Sequence, residues 1–136
     1  TVQFDASGRA STYLYARPWG NLLHAKAAET AVNSSAGIDN SPAGASTAKG
    51  GFMVYQLFTS NGTVTLKVQD ADANNDGSFG DLSGATSGVI DASVTPAAGL
   101  VAIGITATVK QYLRWQLVFG TANTATFALA FVRNHL

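Results

Sequence analysis

The sequence predicts an all-β chain folded as a single β-sandwich or jelly roll, and three observations carry that expectation. Thr63-Val64-Thr65-Leu66-Lys67-Val68-Gln69 alternates strictly, with Val64, Leu66 and Val68 on one face and Thr63, Thr65, Lys67 and Gln69 on the other. That is the pattern of a strand buried on one side only. Tyr112 to Phe119 repeats it, with Leu113, Trp115, Leu117 and Phe119 set against Tyr112, Arg114, Gln116 and Val118. Short runs of this kind recur with turn-forming residues between them, which is the spacing of a two-sheet domain.

Taken in order, Thr12 to Ala16 reads as a strand ended by Arg17-Pro18. Asn21 to Val32 is rich in Ala and could be helix by propensity; in an all-β setting it predicts an irregular strand. Asn33 to Gly51 is rich in Ser, Ala and Gly, and Ile38 is its one large apolar residue, so a long loop is expected. Phe52 to Thr59 is a strand. Asp70 to Gly80 is a polar loop, and Leu100 to Thr108 is a β-branched run with Val101, Ile103 and Ile105. Tyr112 to Phe119 and Thr126 to Arg133, joined by Gly120 to Asn123, predict a hairpin. No internal repeat or second domain interrupts residues 1–136.

Composition narrows the function. Hydrophobic residues make up 46% and charged residues only 12%, about half the usual share of charge. Ala, Thr, Ser and Gly take the place of the missing charge, leaving a small, neutral surface that is easily desolvated against a partner. Eight basic residues balance eight acidic ones, and no block of like charge provides a footprint for nucleic acid or an anionic membrane. No apolar run reaches transmembrane length. The absence of cysteine removes disulfides, thiolate metal sites and cysteine nucleophiles.

Catalysis finds little support. His24 and His135 have no carboxylate or hydroxyl at a triad-like or metal-like spacing, and both are expected as surface or partly packed histidines. Glu29 is the sole glutamate, and Gly50-Gly51 and Gly77 read as turn glycines. The chain is therefore expected to be no enzyme and to need no cofactor. The sharpest local motif is Asp72-Ala73-Asn74-Asn75-Asp76-Gly77, which matches the front half of a calcium loop. Asp72, Asn74 and Asp76 would be its metal ligands, with Asp70 and Asp81 as further oxygens. The twelfth position is Ser83 where a bidentate glutamate should stand, so a polar turn is the preferred reading. Trp19, Trp115, Tyr13, Tyr15, Tyr55 and Tyr112 could build a sugar-stacking platform, but Trp115 is in phase with core residues. Trp19, after Arg17-Pro18, is the better candidate for an exposed anchor.

Val64 to Arg133 resembles the small proteins that decorate and cement the capsids of tailed bacteriophages. The residues carrying the likeness are Val64-Thr65-Leu66-Lys67-Val68-Gln69-Asp70, the loop through Gly77-Ser78-Phe79, Val109-Lys110-Gln111-Tyr112-Leu113-Arg114-Trp115, and Ala125-Thr126-Phe127-Ala128-Leu129-Ala130-Phe131. The resemblance implies a jelly roll made in the host cytoplasm and seated on the outer capsid surface of the virion, across capsomer junctions. It implies two partners, a homodimer or homotrimer of the chain itself and the major capsid protein shell, with no catalytic residues. The N-terminal segment 1–9 and the long loop 33–51, which lack a core-forming pattern, are the expected contact regions. The alternative is a carbohydrate-binding β-sandwich, either secreted or part of a phage tail or fibre.

Overall fold

The computed structural model describes residues 20–32, 38–39 and 46–134. Among these residues eight strands run in chain order: β1 (Asn21–Glu29), β2 (Ile38–Asp39), β3 (Gly51–Ser60), β4 (Thr63–Ala71), β5 (Gly80–Asp91), β6 (Ala97–Ile103), β7 (Tyr112–Phe119) and β8 (Ala125–Arg133). They form two antiparallel sheets, ordered β1-β8-β3-β6 and β2-β7-β4-β5. That interleaved order is the eight-stranded jelly roll, two Greek keys folded face to face.

Strand alternation builds the core. Phe127, Leu129 and Phe131 of β8 point inward beside Met53 and Leu57 of β3, and Val64, Leu66 and Val68 of β4 meet them with Leu113, Trp115 and Leu117 of β7. All of these side chains are buried. Close approach fixes glycine at several positions, Gly50 and Gly99 among them. Gly50 has φ +64°, and a Cβ there would stand 2.1 Å from the Gly104 carbonyl oxygen. Gly99 lies under the Tyr55 ring, whose hydroxyl oxygen would be 2.6 Å from an added Cβ.

Several expectations are corrected. The last two strands make no hairpin: β7 and β8 belong to different sheets, and Gly120 to Thr124 carries the chain from one to the other. Each strand has one largely apolar face, Leu113 to Phe119 on β7 and Ala125 to Phe131 on β8, and stacking those faces across the sandwich buries both sets at once. Side by side in one sheet, they would still need a covering layer. The crossing is laced to the β3–β4 turn. Thr63 and Thr121 each donate a backbone N–H to the other's Oγ1 at 2.9 Å, and Asn61 Nδ2 donates to Asn123 Oδ1 at 2.7 Å.

The run Leu100 to Thr108 is only partly strand. β6 starts earlier, at Ala97, and stops at Ile103, where Gly104 to Ala107 turn through an Ala107 N–H to Gly104 carbonyl bond of 2.8 Å. The polar loop after β4 begins after Ala71 rather than at Asp70. Gly51, expected at the end of the long loop, opens β3, and Ile38–Asp39 within that loop form β2. Asn21 to Glu29 is an irregular strand, with register shifts between Leu22 and His24 and between His24 and Ala27. The expected strand Thr12 to Ala16, the contact segment 1–9 and Trp19 lie outside the described residues, as does most of 33–45.

Candidate binding surfaces

The two outer faces of the sandwich differ in chemistry. On the sheet β1-β8-β3-β6, register places Leu22, Ala130, Val54 and Leu100 in one row across all four strands. Ala128, Gln56 and Ala98 make the adjacent row, and Val132, Phe52 and Ala102 the row beyond. Leu22, Val54 and Leu100 are exposed, and an open trough of about 510 Å³ runs over these residues. The outward positions of β3, β6 and β8 carry no charge. Lys26 lies at the margin, its Nζ 4.3 Å from the centre of the Phe58 ring. Such a face gives up little hydration when covered.

The outer face of the other sheet carries a network of polar side chains bonded to one another, beside exposed Val89 and Val118, which flank Thr65. Asp81, Gln69 and Arg114 stand directly opposite one another on β5, β4 and β7. Lys67 Nζ donates to Asp81 Oδ2 at 2.6 Å, Gln69 Nε2 to Asp81 Oδ1 at 2.9 Å, and Arg114 Nε to Gln69 Oε1 at 2.8 Å. Arg114 also pairs with Asp76 and packs 4.4 Å over the Phe79 ring. Its guanidinium is buried although it sits on the outward face. The Lys67 ammonium and the Gln69 amide hold the Asp81 carboxyl below the usual carboxylate range.

The calcium-loop residues fall at the end of this face. Asp72 meets Lys110 Nζ at 3.1 Å and Asp76 meets Arg114, while Asn74 is exposed. The loop closes as a single 3₁₀ turn over Asp76–Ser78, with Ser78 donating to the Asn75 carbonyl at 3.0 Å. Its carboxylates are thus turned toward cationic side chains. Among the described residues no three His, Asp or Glu groups converge as a metal site. Asp70 is buried and accepts the Lys110 N–H at 2.9 Å. Burial pushes its carboxyl up, against the pull of that hydrogen bond and the Lys110 charge.

His24 is not the surface or partly packed histidine that the sequence suggests. It is buried, its Nδ1 donates to the Phe127 carbonyl at 3.1 Å, and its Nε2 lies 2.9 Å from Glu29 Oε1. The Trp115 ring meets it edge-on at 4.8 Å. Residues five apart on a regular strand face opposite ways; the irregular register of β1 resets the phase and brings Glu29 to His24. Both ring nitrogens are occupied, so the pair closes the sandwich beneath β1.

Of the sequence's aromatic candidates, Trp115 is buried and Tyr55 packs against the core. Tyr112 is half-buried, and Tyr13, Tyr15 and Trp19 lie outside the described residues. A cleft of about 460 Å³ lined by Asp70, Asp81, Ser83, Thr108 and Lys110 has no aromatic ring in its wall. At the far end of β8, buried Arg133 donates to the Val109 carbonyl at 2.6 Å and the Gln111 carbonyl at 3.0 Å. This clamps the segment leading into β7. No known protein family matches the chain, and no curated protein is similar to it.

Proposed function

We propose that this chain is a non-enzymatic structural protein of a virion, cementing or decorating the outer capsid surface of a tailed bacteriophage across capsomer junctions. The observation that carries the reading is the contrast between the two outer faces. One is an uncharged row, Leu22, Ala130, Val54 and Leu100, open to solvent and cheap to cover. The other carries charged and polar side chains that bond to one another, with Val89 and Val118 exposed beside them. A cement protein must stay soluble until it docks and then gain affinity from many weak contacts made together. Small neutral side chains meet that need without the aggregation hazard of a large greasy patch. In this reading the partners are further copies of the chain and the capsid shell, with segments 1–9 and 33–51 as shell contacts.

A carbohydrate-binding sandwich would need a concave site with exposed rings; Trp115 is buried and Tyr55 packs against the core, while Trp19, the ring the sequence offers as an exposed anchor, lies outside the described residues. The test is what the chain accompanies. Antibody detection in purified intact particles is the expected outcome. Recovery on a glycan column, with particles lacking the chain, would replace this reading by the carbohydrate one.

A further inference from the structure

A sheet ends at a strand with one neighbour, and that edge leaves alternate N–H and C=O groups free to pair with another chain. Among the described residues the four edge strands are β1, β6, β2 and β5. β1 is broken by two register shifts and carries Lys26 and Glu29. β5 is also broken by two shifts, has Gly84 and Gly88 at positive φ, and carries Asp81 and Asp91. β2 is two residues long. β6 differs from all three. It pairs with β3 residue for residue, from Ala97 opposite Leu57 to Ile103 opposite Gly51, without a shift. Its sequence, Ala-Ala-Gly-Leu-Val-Ala-Ile, has no charge and no proline. Bulges, lysines, prolines and short length are the devices that keep edges apart; β6 has none of them.

β6 also lies among the most exposed apolar side chains. Among the described residues the four most exposed large hydrophobics are Val94 (93%), Ile105 (78%), Val89 (74%) and Leu100 (65%). Leu100 is at the midpoint of β6 and Val94 and Ile105 stand just beyond its two ends, while Val89 is on β5 of the other sheet.

We infer that β6 pairs antiparallel with β6 of a second copy about a two-fold axis through Leu100, joining two four-stranded sheets into one. The inference rests on the self-assembly in the proposed function and makes it a two-fold dimer. Identical strands paired in this way form an isologous contact that closes at two copies. The register that pairs the whole strand sets Leu100 opposite Leu100 of the second copy and Ala98 opposite its Ala102. Antiparallel direction brings Val94 of each copy to the end where Ile105 of the other stands. The row Leu22–Ala130–Val54–Leu100 then continues into its own copy as one uncharged face. No charge on either strand opposes the approach. One strand pairing covers less than the roughly 1,600 Å² of a typical stable interface, so the apolar contacts at both ends are part of the dimer.

The chain has no cysteine, which makes cross-linking a clean test. Light scattering should give a dimer for the unaltered protein. Leu100→Cys should form a covalent dimer under mild oxidation, because directly opposed Cβ atoms lie about 4.5–5.5 Å apart. Val54→Cys, one strand in from the edge, should not. Leu100→Lys and Leu100→Glu should each weaken the dimer by about tenfold or more through like charges at the axis, and mixing the two should restore it. Leu100 is exposed in the single chain, so the variants should stay folded, with a melting temperature lowered only by as much as the lost association accounts for. A monomer or trimer, or a dimer that ignores Leu100→Lys and fails to cross-link, overturns the pairing. A monomer that binds undecorated capsid shells and loses them on Leu100→Lys overturns it too, by giving the edge to the shell. A dimer that behaves as described but ignores shells leaves the pairing standing and removes the virion reading.

Discussion

The His24 ring lies nearly parallel to the Phe127 ring, centroids 4.0 Å apart and 14° from coplanar, while its Nδ1 donates to the Phe127 carbonyl oxygen. A single side chain therefore ties β1 to β8 through both a ring stack and a backbone contact. Glu29 completes the arrangement at Nε2. Trp115, from the facing sheet, closes it edge-on to both rings, at 4.8 Å from His24 and 5.6 Å from Phe127.

Glu29→Ala should leave a buried ring nitrogen without its partner and cost about 1–3 kcal/mol, the usual penalty for an orphaned buried polar group. Chemical denaturation measures it. A change below about 0.5 kcal/mol, typical of a surface substitution, would show that solvent replaces Glu29 at no cost.

Trp115→Ala should cost about 3–5 kcal/mol, as for other large aromatic deletions from cores. Val118→Ala, on the outward face of the same strand, should stay within about 0.5 kcal/mol. Equal effects on the unfolding midpoint would contradict the inward placement of Trp115.

Asp70 gives a pH signature of known sign. Burial raises its carboxyl pKa in the folded state, so its contribution favours the fold most below the ordinary carboxyl value and is lost as pH rises through the raised one. Asp70→Asn, which keeps an acceptor for the Lys110 N–H, should match or exceed the parent in stability at pH 7. That advantage should shrink as pH falls through the raised value toward about 4 and level off below it. Asp70→Ala, which removes the acceptor, should instead lose about 1–3 kcal/mol at pH 7. Urea titrations at several pH values separate the three proteins, and an Asp70→Asn protein less stable than the parent at pH 7 would reverse the sign.

Asp72 and Asp76 face Lys110 and Arg114, and Ser83 stands where a calcium loop needs its bidentate ligand. Calorimetry should find no calcium site in the micromolar range typical of sensor loops. Micromolar binding that Asp76→Ala abolishes would make the loop a metal site instead.

The strands most legible in the sequence are those whose apolar and polar residues alternate without a break. β4, β7 and β8 alternate strictly, and their inward residues follow from period alone. β5 escaped because its pairing with β4 slips twice, so that Leu82 and Ala85, its buried residues, stand three apart rather than two. The false hairpin has a different cause. Alternation tells which face of a strand is buried but not which strand lies beside it, and β7 and β8 satisfy the same pattern from opposite sheets. The contrast between the outer faces was only half visible. Leu22, Val54 and Leu100 belong to separate strands whose register alone makes them a row. Arg114 reads as an outward polar residue, and nothing in its own strand signals that Gln69, Asp76 and Phe79 close over it.

The central claim is attachment to a capsid, and titration of purified protein onto undecorated shells tests it most directly. Bound protein should sediment with the shells and saturate at a fixed number of copies per shell, as sites repeated by symmetry require. Deleting Thr1 to Gly8 should leave the melting curve unchanged and weaken that binding. Full-length protein that stays in the supernatant at every concentration, or associates without saturating, would contradict the account.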